Sequence, residues 1–394
     1  MIPRDASSTL RRLALGFPVL ALTGPRQSGK TTLARAEFTD KPYVSLENPQ
    51  EREFAQSDPQ RFLGRFAQGA VLDEVQRCPA LLSWLQGLVD ERRIMGDFVL
   101  TGSAQFDLLA GITQSLAGRV GRVELLPLSA AELTGAGLQP TSLGQALLQG
   151  GYPALHDRPL SPQDWFANYA ASYVERDVRQ LVAVRDLGTF QTFVRMCAAR
   201  CGQLLNLTSL GADCGISAVT ARQWISVLES SYVVTLLRPH HRNLGKRLVK
   251  TPKLYFLDAG LAAWLMGIRD VATLETHPAR GALFETWVVG ELLKHRFNAG
   301  RPSDLFFWRD HTGHEIDIVI DTAQGLIPLE IKSGSTYAAD WPDGLNKWRK
   351  LAATSGQAIL QPSLVYGGDQ GFEREGQQVL SWRDLARPGG GLWG

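Results

Sequence analysis

A glycine-rich pattern near the amino end constrains the fold of this chain more than any other feature. Residues 24–31 fit the phosphate-loop pattern G-x-x-x-x-G-K-[ST], and the apolar residues 19–22 come directly before it. This order predicts a buried strand, a tight loop and a helix that begins near Lys30. Loop N–H groups and the positive end of a helix bind phosphate, although a strand-to-helix turn without a ligand is the alternative. The residues predicted to contact a nucleoside triphosphate are Gly24, Pro25, Arg26, Gln27, Ser28, Gly29, Lys30, Thr31 and Thr32.

The loop and a second motif together predict the parts of a phosphoryl-transfer site. Lys30 would hold the β and γ phosphates of ATP, and Thr31 would ligate Mg²⁺. Downstream, residues 70–74 form a short apolar strand that ends in two carboxylates, Asp73 and Glu74. Because phosphoryl transfer depends on positioning and charge stabilisation, we expect Asp73 to support the Mg²⁺ and Glu74 to activate the attacking water. Taken alone, the two acids are equally compatible with solvated groups at a strand end.

A third apolar strand, residues 98–100, is followed by a Thr-Gly-Ser sequence at 101–103. This order places a hydroxyl or an amide where a residue that senses the γ-phosphate would lie. Ser103 and Gln105 are the candidates for that role.

Two arginines in a glycine-containing segment, residues 116–122, lie too far along the chain to belong to the phosphate loop. Arg119 and Arg122 are therefore candidates for an arginine finger, which stabilises transition-state charge in a neighbouring subunit. The alternative is a pair of surface arginines.

The order of these four parts resembles the AAA+ family of P-loop ATPases. It is most similar to a prokaryotic group in which a compact ATPase precedes a long C-terminal region. The resemblance covers nearly the whole chain and implies an α/β core that hydrolyses ATP. It also takes in the segments Pro127-Leu128-Ser129 with Glu132, Gly150-Gly151-Tyr152-Pro153, Tyr173-Val174-Glu175-Arg176-Asp177 and Pro252-Lys253-Leu254-Tyr255-Phe256-Leu257-Asp258.

Length and composition indicate a globular protein with more than one domain. The chain has 394 residues, of which 44% are hydrophobic and 20% are charged, and we expect three domains at 1–150, 151–275 and 276–394. The net charge of +2 is too small to identify a partner. Four cysteines without C-x-x-C spacing favour core thiols in a reducing compartment, and Cys197 with Cys201 is the weaker metal alternative.

The amino-terminal segment has to be distinguished from a signal peptide. Arg11 and Arg12 precede apolar residues that continue to Leu22, and we interpret this run as the first strand because it enters the phosphate loop directly. No apolar run approaches the roughly 18 residues that span a bilayer. We therefore expect a cytoplasmic protein without a membrane partner.

The middle region has the pattern of a helix-turn-helix. Apolar residues from Trp165 to about Leu237 have helical spacing, and residues 205–210, 215–217 and 219–225 read as helix, turn and helix, with Ser217 as the N-cap. In such a unit the second helix enters the major groove of DNA, although a structural helical bundle is the alternative. The candidate contacts on this helix include Ser217, Thr220, Arg222 and Gln223.

A predicted strand pair at 232–237 and 254–257 follows, and its connection is basic and free of acids. Such a hairpin suits the wing of a winged helix that lies along DNA phosphates. A solvated loop or a contact with an acidic protein are the alternatives. Its candidate phosphate contacts are Arg242, Lys246, Arg247 and Lys250.

The C-terminal region has the order of a metal-dependent nuclease core. A helix with Glu285 precedes three strands, and alternation puts Glu330 and Lys332 on one strand face. The pattern resembles the PD-(D/E)xK nuclease superfamily, in which Asp317 and Glu330 would ligate Mg²⁺, Glu285 would add a carboxylate and Lys332 would steady the attacking water. A retained fold used for binding or assembly, or a coincidental strand pattern, are the alternatives. Pro328 predicts that its strand begins at an edge or a bulge.

Together these features predict an α/β P-loop ATPase of AAA+ type, a winged-helix-like helical domain and a C-terminal α/β domain resembling restriction endonucleases. We expect it to use ATP and Mg²⁺ and to process or remodel DNA as a homo-oligomeric ring, with a hexamer as one candidate. The alternative is a nucleotide-gated regulator that binds DNA or protein and neither moves nor cuts nucleic acid.

Overall fold

The computed structural model describes residues 2–103, 115–173, 186–240, 249–353 and 358–387. The chain divides into two compact units, each assembled from three separate segments. The first unit consists of Met1–Leu128, Ser230–Tyr232 and Lys294–Pro302. The second unit consists of Ser129–Glu229, Val233–Leu293 and Ser303–Gly394.

A parallel sheet flanked by helices forms the first unit. Its strands are β1 (Val19–Gly24), β2 (Tyr43–Ser45), β3 (Ala70–Asp73), β4 (Phe98–Ser103) and β5 (Val120–Glu124), in the order β2-β3-β4-β1-β5. Its helices are α1 (Ala6–Ala14), α2 (Lys30–Glu37), α3 (Pro49–Ser57), α4 (Pro59–Gly64) and α5 (Leu81–Arg92), with a 3-10 turn at Val75–Arg77. All residues of β1, β3 and β4 are buried, as expected for strands covered on both faces.

The strand order brings distant segments to one edge of this sheet. Strand β4 lies between β1 and β3, and its last residue, Ser103, pairs with Gly24 at the end of β1. Because the strands are parallel, the phosphate loop, Asp73 and Ser103 all follow the carboxyl ends of neighbouring strands. This arrangement confirms the predicted α/β core.

The predicted first strand is too long. Residues 6–14 form helix α1, and β1 begins only at Val19. The buried residues of α1 are Ala6, Thr9 and Leu10, a spacing that suits one face of a helix packed on the sheet.

The second unit combines helices with an eight-stranded sheet. Its helices are α6 (Ala130–Gly135), α7 (Leu143–Gln149), α8 (Ala154–Asp157), α9 (Pro162–Tyr169), α10 (Leu187–Ala198), α11 (Leu207–Asp213), α12 (Ala218–Ser230), α13 (Ala259–Leu265), α14 (Val271–Thr276), α15 (Arg280–Asn298), whose last turn belongs to the first unit, and α16 (Asp343–Ala353). Its strands are β6 (Val234–Pro239), β7 (Lys253–Phe256), β8 (Leu305–Arg309), β9 (Glu315–Asp321), β10 (Leu326–Lys332), β11 (Ser363–Tyr366), β12 (Phe372–Arg374) and β13 (Gln377–Ser381). The sheet order is β12-β13-β11-β10-β9-β8-β6-β7, and a 3-10 turn follows at Asp384–Ala386.

Two features of this sheet bear on the sequence expectations. The strand pair predicted as a wing is present as antiparallel β6 and β7, but Arg238 and Pro239 of β6 also pair with β8. The pair therefore extends the larger sheet. Strand β10 lies between β9 and β11 rather than at an edge. On the β11 side, Leu326 bridges Ile359 whereas Leu329 pairs with Ser363, so the pairing shifts by one residue around Pro328, as the predicted bulge would require.

Local geometry explains three of the segments that carry the family resemblance. Ser129 and Glu132 form a reciprocal capping box at the start of α6. The Asp258 carboxylate caps α13 through the Leu261 N–H at 2.9 Å and accepts the Gly151 N–H at 2.8 Å. Gly150 has a φ of +68°, and a Cβ on it would lie 2.4 Å from Asp258 Oδ1, so this close approach requires glycine. Of the remaining segment, 173–177, Tyr173 is described, whereas residues 174–177 lie outside the described ranges.

In the described ranges, no helix is both long enough and apolar enough to cross a membrane.

Candidate active site

The phosphate loop joins β1 to α2 through left-handed backbone positions. Gln27 has a φ of 62° and Gly29, the N-cap of α2, has a φ of 93°. Lys30 is buried, and its ammonium donates to the carbonyl oxygens of Gly24 at 3.0 Å and Pro25 at 2.6 Å. Burial lowers the pKa of Lys30 to about 8, although Glu74 and Asp73 act in the opposite direction. The loop therefore holds a buried cation at the start of a helix, which suits an anion ligand.

The Asp73 carboxylate is the centre of a hydrogen-bond network beside this loop. Thr31 Oγ1 donates to Asp73 Oδ1 at 2.8 Å, and the Thr101 hydroxyl donates to the same oxygen. Tyr43 donates to Asp73 Oδ2, also at 2.8 Å. These bonds fix the carboxylate next to the Thr31 hydroxyl, as the predicted Mg²⁺ site requires.

Glu74 follows β3 in a left-handed conformation with a φ of 57°. The Gln76 amide donates to the Glu74 carboxylate and also to Ser103 Oγ, at 3.1 Å in the second case. Burial is the main cause that raises the pKa of Glu74, and Lys30 opposes it. Gln76 therefore links the predicted water-activating residue to the predicted sensor residue.

A Mg²⁺·ATP ligand fits the residues that the fold brings together. A threonine hydroxyl and an aspartate carboxylate supply oxygen ligands, which Mg²⁺ prefers. Lys30 supplies the positive charge, and Glu74 lies one residue beyond Asp73 at the same sheet edge. Thr32 is exposed in the first turn of α2, and Gln105 lies outside the described ranges.

Arg119 lies at the opposite edge of the sheet from the phosphate loop. Its neighbour Val120 pairs with Val19 at the start of β1, so Gly24 is five strand residues away, roughly 16 Å at about 3.3 Å per residue. The guanidinium pairs with Asp90 on α5, with Nη2 2.8 Å from Oδ2. Arg122 is exposed on β5. Arg119 is therefore remote from the phosphate loop of its own chain, and its role as an arginine finger stays a prediction.

Two consecutive helices, α11 and α12, occupy the region predicted as a helix-turn-helix. The Ser217 hydroxyl accepts the Thr220 N–H at 3.0 Å, which confirms the predicted N-cap. Arg222 and Gln223 are exposed on α12, and Thr220 is partly exposed. Arg222 also borders a cavity of about 670 Å³ in the second unit. Lys250 is exposed, whereas Arg242, Lys246 and Arg247 lie outside the described ranges.

The four predicted nuclease-type residues lie in one partly buried cluster of the second unit. Lys332 Nζ is 2.8 Å from Glu330 Oε2, and Asp317 Oδ2 accepts the Ile331 N–H at 2.8 Å. Burial and the nearby Asp317 carboxylate raise the pKa of both Glu285 and Glu330. Asp317 is therefore close to both glutamates.

The same cluster contains three residues that the sequence pattern did not identify. Lys253 and Tyr255 of β7 both bond to Glu285, and Lys253 also pairs with Glu315. The sequence did contain a signal for this contact, because Lys253 begins an otherwise apolar strand. A lysine that is buried with such a strand needs a partner of opposite charge. No three His, Cys, Asp or Glu side chains among the described residues are arranged to hold one metal ion. Nuclease activity stays a prediction.

Two residues of the nucleotide site were also missed. Gln76 is separated from Glu74 by only one residue, so a polar side chain just beyond the paired acids was its signal. Tyr43 had no comparable signal, because its contact with Asp73 depends on the pairing of β2 with β3.

Comparison with known proteins agrees with this site. The family described as an AAA domain matches residues 16–134, which include the phosphate loop, Asp73, Glu74 and Ser103. Two families described as domains of unknown function match residues 140–272 and 280–385.

Similar proteins occur in mycobacteria. Uncharacterized proteins of Mycobacterium bovis and Mycobacterium tuberculosis are each 33% identical to this chain over 373 residues, covering 94% of this chain and 81% of the relative. Among solved structures, a Walker-type ATPase of Pyrococcus abyssi has a TM-score of 0.43 and 16% identity, covering 67% of this chain and 96% of that one. Thermotoga maritima RuvB has a TM-score of 0.31 and 19% identity, covering 59% and 87%. The chain thus belongs to the family of these mycobacterial proteins, and its amino-terminal part is an AAA-type P-loop ATPase domain.

Proposed function

We propose that this protein is an oligomeric, Mg²⁺-dependent ATPase that acts on DNA. The observation that carries the ATPase part is the 2.8 Å hydrogen bond between Thr31 and Asp73 beside the phosphate loop. It joins the hydroxyl and the carboxylate that a nucleotide-bound Mg²⁺ would need from two different segments.

Each residue around this bond has a separate role in the proposal. The Lys30 ammonium binds the β and γ phosphates, and Thr31 and Asp73 orient the Mg²⁺, directly or through water. When bound, Mg²⁺ neutralises charge on the phosphate oxygens. Glu74 accepts a proton from the attacking water, and Ser103 contacts the γ-phosphate. Gln76 fixes the positions of Glu74 and Ser103 relative to each other, because its amide donates a hydrogen bond to each of them.

Assembly would complete the site. Arg119 is remote from its own phosphate loop, which supports a role in the active site of a neighbouring subunit. The ion pair with Asp90 would then position the Arg119 guanidinium before it contacts the phosphate of the neighbouring subunit. Alternatively, Arg119 would leave Asp90 when it binds that phosphate. A homo-oligomeric ring, with a hexamer as one candidate, provides such an interface at every subunit.

DNA is the proposed macromolecular partner. The exposed Arg222 and Gln223 on α12 support base contacts, with Thr220 beside them at the capped start of the helix. Lys250, with the sequence-predicted Arg242, Lys246 and Arg247, would contact phosphates. We propose a winged-helix-like role for this region even though its strand pair also extends the larger sheet.

The C-terminal elements would serve binding or assembly in this proposal. They keep the nuclease-like order of one helix and three strands, but Glu285 and Glu330 are both paired with lysines. The Lys253–Glu285 pair, which is not part of the nuclease pattern, favours a retained fold over a cleavage centre.

A nucleotide-gated regulator is the second candidate function. One observation favours it: burial raises the pKa of Glu74, and a protonated Glu74 could not accept the proton of the attacking water. Such a protein would hydrolyse ATP slowly and would use the bound nucleotide to switch a DNA-binding or protein-binding surface.

The rate of ATP hydrolysis in the presence of single-stranded, duplex and branched DNA separates the two candidates. A DNA-processing ATPase accelerates on at least one form, and the Arg222→Ala/Gln223→Ala double variant loses that stimulation. Val219→Ala is the matched control, because Val219 is 67% exposed on the same helix and carries no polar group. Equal rates with and without every DNA form would favour the regulator.

A further inference from the structure

The carboxylate cluster of the second unit contains a lysine that its nuclease-like pattern does not include. Lys253 begins strand β7, and its residue is only 3% exposed. Its ammonium is 2.9 Å from Glu285 Oε1 and also pairs with Glu315 Oε1. A single buried cation thus bridges carboxylates from helix α15 and strand β9.

Other protein donors bond to the same carboxylates. The Tyr255 hydroxyl donates to Glu285, and Arg309 Nη1 is 3.0 Å from Glu315 Oε2. These contacts add to the Lys332–Glu330 pair and to the Ile331 N–H bond to Asp317 described above. Four carboxylates therefore face three cationic side chains, and each accepts at least one hydrogen bond from the protein.

This arrangement does not suit a divalent cation. Mg²⁺ requires several oxygen ligands at about 2.1 Å in near-octahedral geometry, and an ammonium group cannot be one of them. A doubly charged ion beside the Lys253 ammonium would also be repelled by it in a buried environment. Glu285 in particular has its Oε1 atom committed to Lys253 and Tyr255.

We propose that Lys253 takes the place of the divalent cation in this cluster. The cluster is then a metal-independent ion-pair network that holds β7 against α15 and β9. The residues that match the nuclease pattern keep their positions in the fold, while cationic side chains of the protein offset part of their charge. The proposal differs from the expectation that Asp317 and Glu330 ligate Mg²⁺.

Mn²⁺ binding to the full chain without nucleotide tests this proposal, with free Mn²⁺ measured by electron paramagnetic resonance. Wild type and Asp317→Asn should bind Mn²⁺ equally, because the cluster contributes no site. Lys253→Met loses the repelling charge and should gain one Mn²⁺ site, at least about tenfold tighter than any Mn²⁺ binding by the wild type. A further Glu330→Gln change should remove that site. Lys250→Met, which removes an exposed lysine three residues away, should behave as wild type.

Two results would overturn the proposal. The first is stoichiometric Mn²⁺ binding by wild type that Asp317→Asn or Glu330→Gln abolishes, a comparison that does not depend on whether Lys253→Met folds. The second is a folded Lys253→Met protein that gains no Mn²⁺ site, since a group other than Lys253 would then exclude the ion.

Discussion

The Thr31 hydroxyl donates a 2.8 Å hydrogen bond to Asp73 Oδ1 and so connects the first turn of α2 with the end of β3. The two residues belong to segments that only the strand order brings together, because β4 separates β3 from β1 in the sheet. Thr101 and Tyr43 hold the same carboxylate from either side. The metal-binding part of the proposed ATPase is therefore positioned by tertiary structure rather than by the loop alone.

Loss of the Thr31 hydroxyl should weaken the affinity of the ATPase site for Mg²⁺. In Thr31→Ala, the Mg²⁺ concentration for half-maximal ATP hydrolysis should rise at least about tenfold, as expected for a lost bond to a charged group. Thr31→Ser keeps the hydroxyl and is the matched control. A magnesium titration of Thr31→Ala that superimposes on wild type would remove Thr31 from the metal site.

The affinity for ATP should depend on the protonation of Lys30. Burial lowers the pKa of Lys30 to about 8, so the ammonium is charged below that pH and loses its proton as the pH rises through it. The affinity for ATP should therefore be highest near pH 7 and should fall by up to about tenfold per pH unit above pH 8. Titrations with a fluorescent nucleotide between pH 7 and 9.5 measure this effect. Lys30→Arg should give a flat profile, and an equally flat wild-type profile would contradict the prediction.

Arg119 should act on the nucleotide of a neighbouring subunit. Arg119→Ala should lower turnover by about 10³-fold, the effect of an arginine finger, whereas Arg122→Ala should change it little. Mixing Arg119→Ala with Lys30→Ala should restore part of the activity through interfaces that combine both intact residues. Sedimentation on the same samples reports assembly. Mixed oligomers without restored activity would argue against action between subunits.

Removal of Lys253 should destabilise the second unit strongly. Lys253→Met leaves two partly buried carboxylates without their buried cation, so the unfolding free energy should fall by about 3 kcal/mol in urea titrations. Lys250→Met, at an exposed position, should stay within about 0.5 kcal/mol of wild type. Adding Glu285→Gln to Lys253→Met should cost less than the sum of the single changes, because the two side chains are in contact. Strict additivity would mean that the ion pair contributes nothing.

Local sequence patterns were sufficient for the ATPase core. The phosphate loop, the strand that ends in Asp73 and the strand that ends in Ser103 are continuous segments whose residue types report their own conformation. The AAA domain match over residues 16–134 confirms that part of the prediction. The error at α1 has a local cause, because the apolar residues that begin at Leu13 read as one strand although Leu13 and Ala14 end the helix.

Contacts between distant segments could not be predicted in the same way. Tyr43 reaches Asp73 through the pairing of β2 with β3, and Lys253 reaches Glu285 through the docking of β7 near α15. The assignment of β6 and β7 to the larger sheet likewise depends on the pairing of Arg238 with Phe306. No residue type along these segments specifies such partners, because strand pairing is decided by packing across the whole sheet. The roles of the DNA-binding residues and of Arg119 stay predictions.

Phosphate release by Glu74→Gln, measured beside nucleotide binding by the same protein, tests the central claim most directly. The variant should bind Mg²⁺·ATP with nearly wild-type affinity, because the loop, Thr31 and Asp73 are intact. It should hydrolyse ATP at least about 10²-fold more slowly, since it lacks the group that accepts the proton of water. Lys30→Ala should instead lose binding. Wild-type turnover by Glu74→Gln would contradict the account, because water activation would then belong to another residue.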